Sequence, residues 1–156
     1  MKNAKLSTAC AAVAALALAA AAFADAPGRH PHYLSARTDL RAAQLILRVR
    51  DEIRVMRHLR AADREIDAAV REIDRAAVID RKDILDRPPI DTSLDRPGRF
   101  RKAMALLVSA RADIAREEER PRAALWRDVA YRHIDEAMEQ LRVAARDLRI
   151  ERLEGF

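Results

Sequence analysis

Apolar residues recur at intervals of three and four positions along four separate segments of the chain. That spacing places them on one face of an α-helix, with the charged residues on the opposite face. The four apolar stripes are Ala42, Ile46, Val49, Ile53 and Met56; Ile66, Val70, Ile73 and Ala77; Phe100, Ala103, Met104, Leu107, Ala110 and Ile114; and Trp126, Ala130, Ile134, Ala137, Leu141, Ala145 and Leu148. The pattern therefore predicts an all-α fold, built as a four-helix up-down bundle.

The predicted bundle covers residues 35–153, with helices at about 35–58, 63–80, 98–116 and 121–152. Ser35 and Asp63 have side chains suited to N-caps, and Gly155 would end the last helix. Because no Pro or Gly separates the first two helices, one continuous rod is an alternative. We predict a turn between Arg57 and Asp63 instead, since a rod of about 50 residues would be about 75 Å long and would lack an equal partner.

A stretch rich in proline and aspartate, 81–97, separates the second and third stripes and predicts a long crossover. The segments on its two sides resemble each other. Glu65-Ile66-Asp67 matches His133-Ile134-Asp135, and Leu40-Arg41-Ala42-Ala43 matches Phe100-Arg101-Lys102-Ala103. These matches favour a duplicated αα-hairpin, although any two alanine-rich amphipathic helices would share part of this likeness.

The first 24 residues have the three regions of a secretory signal peptide. Lys2 and Lys5 precede an Ala/Leu/Val core, and Ala22-Phe23-Ala24 supplies small residues around a cleavage site after Ala24. We therefore expect export to the periplasm, an extended leader over residues 25–34, and no stable membrane span after cleavage. An uncleaved N-terminal anchor is the alternative reading.

The chain after Ala24 has 132 residues and no cysteine, because Cys10 lies within the predicted signal peptide. One domain of this length can bury a sizeable core, and it would contain no disulfide. Without Lys2 and Lys5, 28 basic residues face 25 acidic ones. Acids alternate with arginines along the helices, so the charge predicts a paired, solvated surface rather than a nucleic-acid patch.

Several short motifs between His30 and Ala137 carry a family resemblance. They are His30-Pro31-His32-Tyr33-Leu34, Asp39-Leu40-Arg41, Arg64-Glu65-Ile66-Asp67 or Arg71-Glu72-Ile73-Asp74, Arg87-Pro88-Pro89-Ile90-Asp91, Gly98-Arg99-Phe100, Glu117-Glu118-Glu119-Arg120-Pro121-Arg122 and Arg132-His133-Ile134-Asp135-Glu136-Ala137. Together they resemble an uncharacterised family of small exported bacterial helical proteins. Arg81 and Ser35 depart from its pattern, since relatives often carry glycine and histidine there. The resemblance implies location and fold, and no activity.

Three histidines are candidates for a metal site. His30 and His32 are two positions apart in the predicted leader, and His133 could join them if the leader folds back. Imidazole pairs bind divalent transition metals such as Cu(II), Ni(II) or Zn(II), although a structural or catalytic site needs three or four ligands. The alternative for His133 is a boundary residue packed on Trp126, and we expect His58 to be solvated beside the predicted turn.

Other cofactor sites have less support. Haem ligation by His133 with Met56 or Met104 is conceivable in a helical bundle, but the chain has no Cys-x-x-Cys-His motif. Di-iron bundles need two Glu-x-x-His units, and the sequence contains neither. We therefore predict no cofactor beyond the metal alternative.

The sequence also lacks a recognisable nucleophile turn and a glycine-rich phosphate loop. We accordingly expect an exported, non-catalytic bundle that binds an envelope protein or a small ligand, as a monomer or a homodimer. A periplasmic metal- or cofactor-binding bundle that uses His30, His32 and His133 is the alternative.

Overall fold

The computed structural model describes residues 31–77, 91, 93–116 and 121–150, and these residues form four helices. They are α1 (Pro31–Leu47), α2 (Ile53–Ala77), α3 (Arg96–Ala115) and α4 (Pro121–Asp147). The described part of the chain contains no strand. The predicted all-α four-helix bundle is therefore confirmed. None of these helices combines the length and the low charge needed to cross a membrane.

The helices form a square in which α1 packs on α2 and α3, and α4 packs on α2 and α3. His58 on α2 lies opposite Gln140 on α4, and Glu65 lies opposite His133, so these two helices are antiparallel. The start of α3 contacts Asp51, which precedes α2. Helices α2 and α3 therefore begin at the same end of the bundle, and the order of directions is up, down, down, up.

Two ends of the bundle can now be named. The turn end contains the α1–α2 turn, the start of α3 and the end of α4. The cleft end contains the start of α1, the ends of α2 and α3 and the start of α4. Residues 78–90 and 92, which include most of the predicted crossover, lie outside the described residues.

The core follows the predicted stripes closely in the middle of each helix. Ile66, Val70 and Ile73 on α2 are buried, and so are all six residues of the third stripe. Alanines contribute many of the buried positions, for example Ala62 and Ala69 on α2 and Ala137 and Ala144 on α4. Small side chains allow neighbouring helices to approach closely, so the bundle is packed with few large residues.

The predicted position of the first turn is wrong. Helix α1 ends at Leu47 and α2 begins at Ile53, about ten residues before Asp63. Two residues of the first stripe consequently leave the core: Val49 is 38% exposed and Ile53 is 93% exposed. The rod alternative is also wrong, since α1 and α2 are separate helices.

Asp51 explains why the break falls there. Its Oδ1 accepts a hydrogen bond from the Glu52 N–H, and its Oδ2 accepts one of 2.7 Å from Arg99 on α3. Arg96 Nε lies 3.1 Å from the same carboxylate, whose side chain is only 1% exposed. A buried carboxylate must be paired to be tolerated, so the two arginines of α3 hold Asp51 at the turn end and interrupt the helix.

The remaining boundaries agree better with the sequence pattern. Helix α1 begins at Pro31 instead of Ser35, so His32, Tyr33 and Leu34 are helical rather than part of an extended leader. Proline is well suited to a first helical turn because it needs no hydrogen-bond acceptor. Helices α3 and α4 begin within two residues of the predicted positions.

The start of α3 is capped by Asp95, whose side chain accepts a 2.7 Å hydrogen bond from the Gly98 N–H. A Cβ at Gly98 would lie 2.6 Å from Asp95 Oδ1, so a larger residue there would displace the capping side chain. Just before it, the Ser93 hydroxyl and then the Ser93 N–H donate to Asp91 and hold the pKa of that carboxyl below its ordinary value.

Helix α4 ends at Asp147, before the predicted stop at Gly155. Ile150 N–H donates to the Ala145 carbonyl and Arg149 N–H donates to the Arg146 carbonyl, which is the Schellman pattern of a helix C-terminus. Arg149 takes the left-handed conformation that this motif requires, with φ 55°. Glycine usually occupies that position, because a Cβ is strained there.

We expect Arg149→Gly to raise the free energy of unfolding by about 0.5–1 kcal/mol, because it relieves this backbone strain. Urea unfolding followed by far-UV circular dichroism would measure the change. Arg132→Gly is the matched control, since Arg132 is exposed in the middle of α4. There glycine should cost about 1 kcal/mol, and equal effects of the two substitutions would contradict the prediction.

Candidate functional site

Three ion pairs join α1 to α2 along the length of their interface. The nitrogen–oxygen distances are 2.5 Å for Arg37–Asp74, 3.2 Å for Arg41–Asp67 and 2.8 Å for Arg48–Asp63. Arg37 is 4% exposed, whereas the other two arginines are more accessible. The aspartates of α2 therefore pair mainly with arginines of α1 and of the turn that follows it, and Asp67 also pairs with Arg71 on α2 itself.

Gln44 completes this interface from a buried position. Its amide oxygen accepts a 2.9 Å hydrogen bond from Arg41, and its amide nitrogen lies 3.4 Å from the Asp63 carbonyl. A buried amide needs such partners, because an unpaired one would cost free energy on folding. The polar groups between α1 and α2 thus stabilise and align the two helices.

A second polar interface lies between α2 and α4 and contains two histidines. Arg57 Nε donates to His58 Nε2 at 3.0 Å, so the His58 proton is on Nδ1, which donates to Gln140 at 2.8 Å. The His58 side chain is 13% exposed. The expectation that His58 is solvated is therefore wrong, because the helix continues past the predicted turn and carries this residue into the interface.

His133 occupies the matching position on the other helix. Its Nδ1 donates to Glu65 Oε2 at 2.7 Å, and the two side chains are each about one third exposed. In the internal repeat, Glu65 and His133 occupy equivalent positions. In the folded bundle their side chains are hydrogen-bonded to each other. Sequence reasoning missed this contact, because the antiparallel pairing of α2 and α4 is needed to bring positions 65 and 133 together.

The described candidate ligands His32 and His133 are not part of a metal-binding cluster among the described residues. His30 lies outside the described residues, His32 lies in the first turn of α1, and His133 is bonded to Glu65. Within the described ranges, no group of three or more His, Cys, Asp or Glu side chains is arranged to hold a metal ion. A leader site that includes His30 stays a prediction.

A shallow cleft opens at the cleft end of the bundle. Its walls include Tyr33, Ile73, Ile114 and Trp126, with Glu72 and Arg127 among the lining residues. The space within it is about 10 Å³, which is about the least that one water molecule needs. As folded, the cleft is therefore the size of a water molecule.

Leu125 and Tyr131 mark the surface of α4 near this end. Leu125 is 71% exposed. Two guanidinium groups lie over the Tyr131 ring, with Arg111 Cζ at 4.6 Å and Arg127 Cζ at 5.7 Å from its centroid. Arg111 also pairs with Asp135 at 2.8 Å, so this contact joins α3 to α4. These cation–π contacts have a structural role.

The outer face of α2 has a different character at the turn end. Ile53, Arg57, Arg60 and Arg64 follow one another at helical spacing, and all four are exposed. Neither Arg60 nor Arg64 has a carboxylate partner within the described ranges, and the hydrogen bond of Arg57 goes to the His58 ring. We call these four residues the arginine ridge. The eleven helical steps from Ile53 to Arg64 make it about 17 Å long.

These features define a class of protein rather than a particular one: a four-helix bundle in which His58, His133 and buried charges are engaged between helices, with exposed apolar and basic groups on the described surface. Comparison with protein-family models, with curated proteins and with solved structures found no match. The function is therefore argued from the chain's own residues.

Proposed function

We propose that this protein is an exported, non-catalytic helical bundle that serves as a binding or interaction module of the bacterial envelope. The N-terminal pattern of Lys2, Lys5, the apolar core and Ala22-Phe23-Ala24 supports export to the periplasm. The same proposal includes membership of the uncharacterised exported family that the chain resembles, and activity as a monomer or homodimer.

The observation that carries the proposal is that the two histidines of the α2–α4 interface are already hydrogen-bonded to other side chains. His58 and His133 are bonded to Gln140 and Glu65 across the α2–α4 interface. Catalysis needs a general acid, base or nucleophile that faces a space large enough for a substrate. The described cleft has no such space, so these polar groups support alignment of the helices rather than chemistry.

Binding, in contrast, needs exposed groups that a partner can cover. Leu125 is 71% exposed and precedes Trp126, which lines the cleft, whereas Ile53 is 93% exposed at the opposite end. Large apolar side chains in such positions are often contact residues in interfaces, particularly where aromatic residues lie nearby. The surface at the start of α4 is therefore the part of the bundle that we assign to a protein partner.

An experiment in the native bacterium tests export and binding together. The full chain, with a photo-crosslinking residue in place of Leu125, is expected in the periplasmic fraction with Asp25 as its first residue by mass spectrometry. Irradiation should give one reproducible envelope adduct. Ala112, exposed on α3, is the control position and should give none.

Two outcomes would contradict the proposal. A cytoplasmic chain that retains Met1 would overturn export, and equal adducts at Leu125 and Ala112 would remove the assigned surface. Titration of the same purified protein with Cu(II) or Zn(II) examines the metal alternative. Micromolar binding that disappears in His30→Ala/His32→Ala would favour that alternative, with or without a contribution from His133.

A further inference from the structure

We infer that the arginine ridge of α2 docks the protein on a membrane surface rich in anionic phospholipid headgroups. The inference rests on the proposed envelope location and adds a second, separate contact surface. Acidic and basic residues alternate along the sequence of α2, but in the fold most of the acidic side chains pair with neighbouring helices and the arginines remain on the outer face.

The sorting removes carboxylates from the outer face of α2. Asp63 and Asp67 turn towards α1 and pair with Arg48 and Arg41, while Glu65 turns towards α4 and pairs with His133. The exposed face between these flanks retains Arg57, Arg60 and Arg64, and neither Arg60 nor Arg64 forms an ion pair with a described carboxylate. Three guanidinium groups within about 11 Å of helix length thus produce a locally positive surface.

Arg71 and Arg75 show that the ridge has a defined limit. They lie further along the outer face of α2, where Arg71 pairs with Asp67 and Arg75 pairs with Glu72 at 2.6 Å. Their charges are neutralised locally. The positive surface is therefore confined to the half of α2 near the turn end, which also carries the exposed Ile53.

The shape and chemistry of the ridge select the partner. Both flanks of α2 are covered by α1 and α4, so the ridge is the convex outer line of the bundle and meets a flat surface along its length. Guanidinium groups bind phosphate oxygens through paired hydrogen bonds. Ile53, which is 93% exposed, can enter the boundary between headgroups and acyl chains.

An acidic protein helix is a less suitable partner. Helices that bind helices present a stripe of apolar residues at three- and four-residue spacing. The ridge has one apolar residue followed by three arginines. That proportion is typical of a segment that lies on a lipid surface, where basic groups contact headgroups and a few apolar groups enter beneath them.

Vesicle sedimentation tests the inference with the full chain as purified from cells. We expect binding to vesicles of phosphatidylglycerol and phosphatidylcholine in equal parts, and little binding to phosphatidylcholine alone. Raising the salt concentration from about 0.1 M to about 1 M shortens the screening length from about 10 Å to about 3 Å, so it should release the protein. All variants carry the same N-terminus, so their differences report on the ridge.

Arg60→Gln/Arg64→Gln should weaken binding to the anionic vesicles about 25-fold, from about fivefold for each arginine at the surface. Arg101→Gln/Lys102→Gln is the matched control. It also removes two exposed positive charges, but on α3, diagonally across the bundle from α2. The control should change the affinity less than about threefold, since its charges lie away from the docked surface. Ile53→Ser should weaken binding without changing the salt dependence.

Three results would overturn the inference: no binding of the unaltered chain to anionic vesicles, equal weakening by the ridge variant and the control, or ridge-dependent binding to a polyglutamate peptide but not to vesicles. The last would assign the ridge to an acidic protein. Far-UV circular dichroism of each variant distinguishes loss of binding from loss of fold. Because vesicle binding is measured on purified protein, its failure is distinct from a failure of export or of crosslinking at Leu125.

Discussion

Asp51→Ala is expected to lower the free energy of unfolding by about 3–5 kcal/mol, because it removes the buried acceptor that pairs Arg96 and Arg99. The Asp51 side chain is 1% exposed, and Arg99 is 18% exposed. Without the carboxylate, Arg99 would be left partly buried and unpaired. The α1–α2 turn would also lose its tie to α3, at a point where no Pro or Gly interrupts the helices.

Urea unfolding followed by Trp126 fluorescence and by far-UV circular dichroism would measure this loss. Asp128→Ala is the control: Asp128 is 64% exposed and pairs with its neighbour Arg127, so its removal should change stability by less than about 0.5 kcal/mol. A loss below about 1 kcal/mol for Asp51→Ala would mean that other contacts hold the turn end together.

Arg37→Ala is expected to destabilise the protein by about 3 kcal/mol. The substitution removes a side chain that is 4% exposed and leaves Asp74 without its 2.5 Å partner. Breaking a buried pair from one side costs more than the pair itself contributes, because the remaining charge stays poorly solvated.

The double variant Arg37→Met/Asp74→Leu separates these effects. It removes both charges and restores apolar volume, so its free energy of unfolding should lie within about 1 kcal/mol of the unaltered protein. If the double variant is as unstable as Arg37→Ala, the loss comes from packing around Arg37 rather than from the unpaired Asp74. Thermal and urea unfolding of the three proteins decides between these outcomes.

The helical stripes show how far the sequence could predict this fold. All six residues of the third stripe are buried, because in the middle of a helix the three- and four-residue spacing by itself defines the face that avoids water. Prediction failed at Val49 and Ile53, which continue the same spacing beyond the end of α1. The spacing carries no information about where a helix stops when neither Pro nor Gly is present.

The candidate site residues show a similar limit. The sequence makes His133 a candidate metal ligand, but its bond to Glu65 depends on the antiparallel pairing of α2 with α4. The sequence also predicts a solvated His58, and the bond of His58 to Gln140 depends on the same pairing. The alternating charges predict a paired, solvated surface, whereas three aspartates of α2 pair with Arg37, Arg41 and Arg48 and leave Arg60 and Arg64 exposed without an ion pair among the described residues.

The sequence by itself therefore determined the all-α class, the four helices and the inner faces at their centres, because local spacing and helix propensity act within each segment. The tertiary structure decided the position of the first turn, the partners of both histidines and the sorting of charge on α2. Each of these depends on groups that are far apart in the chain, such as Asp51 with Arg99, and that meet only when the helices pack.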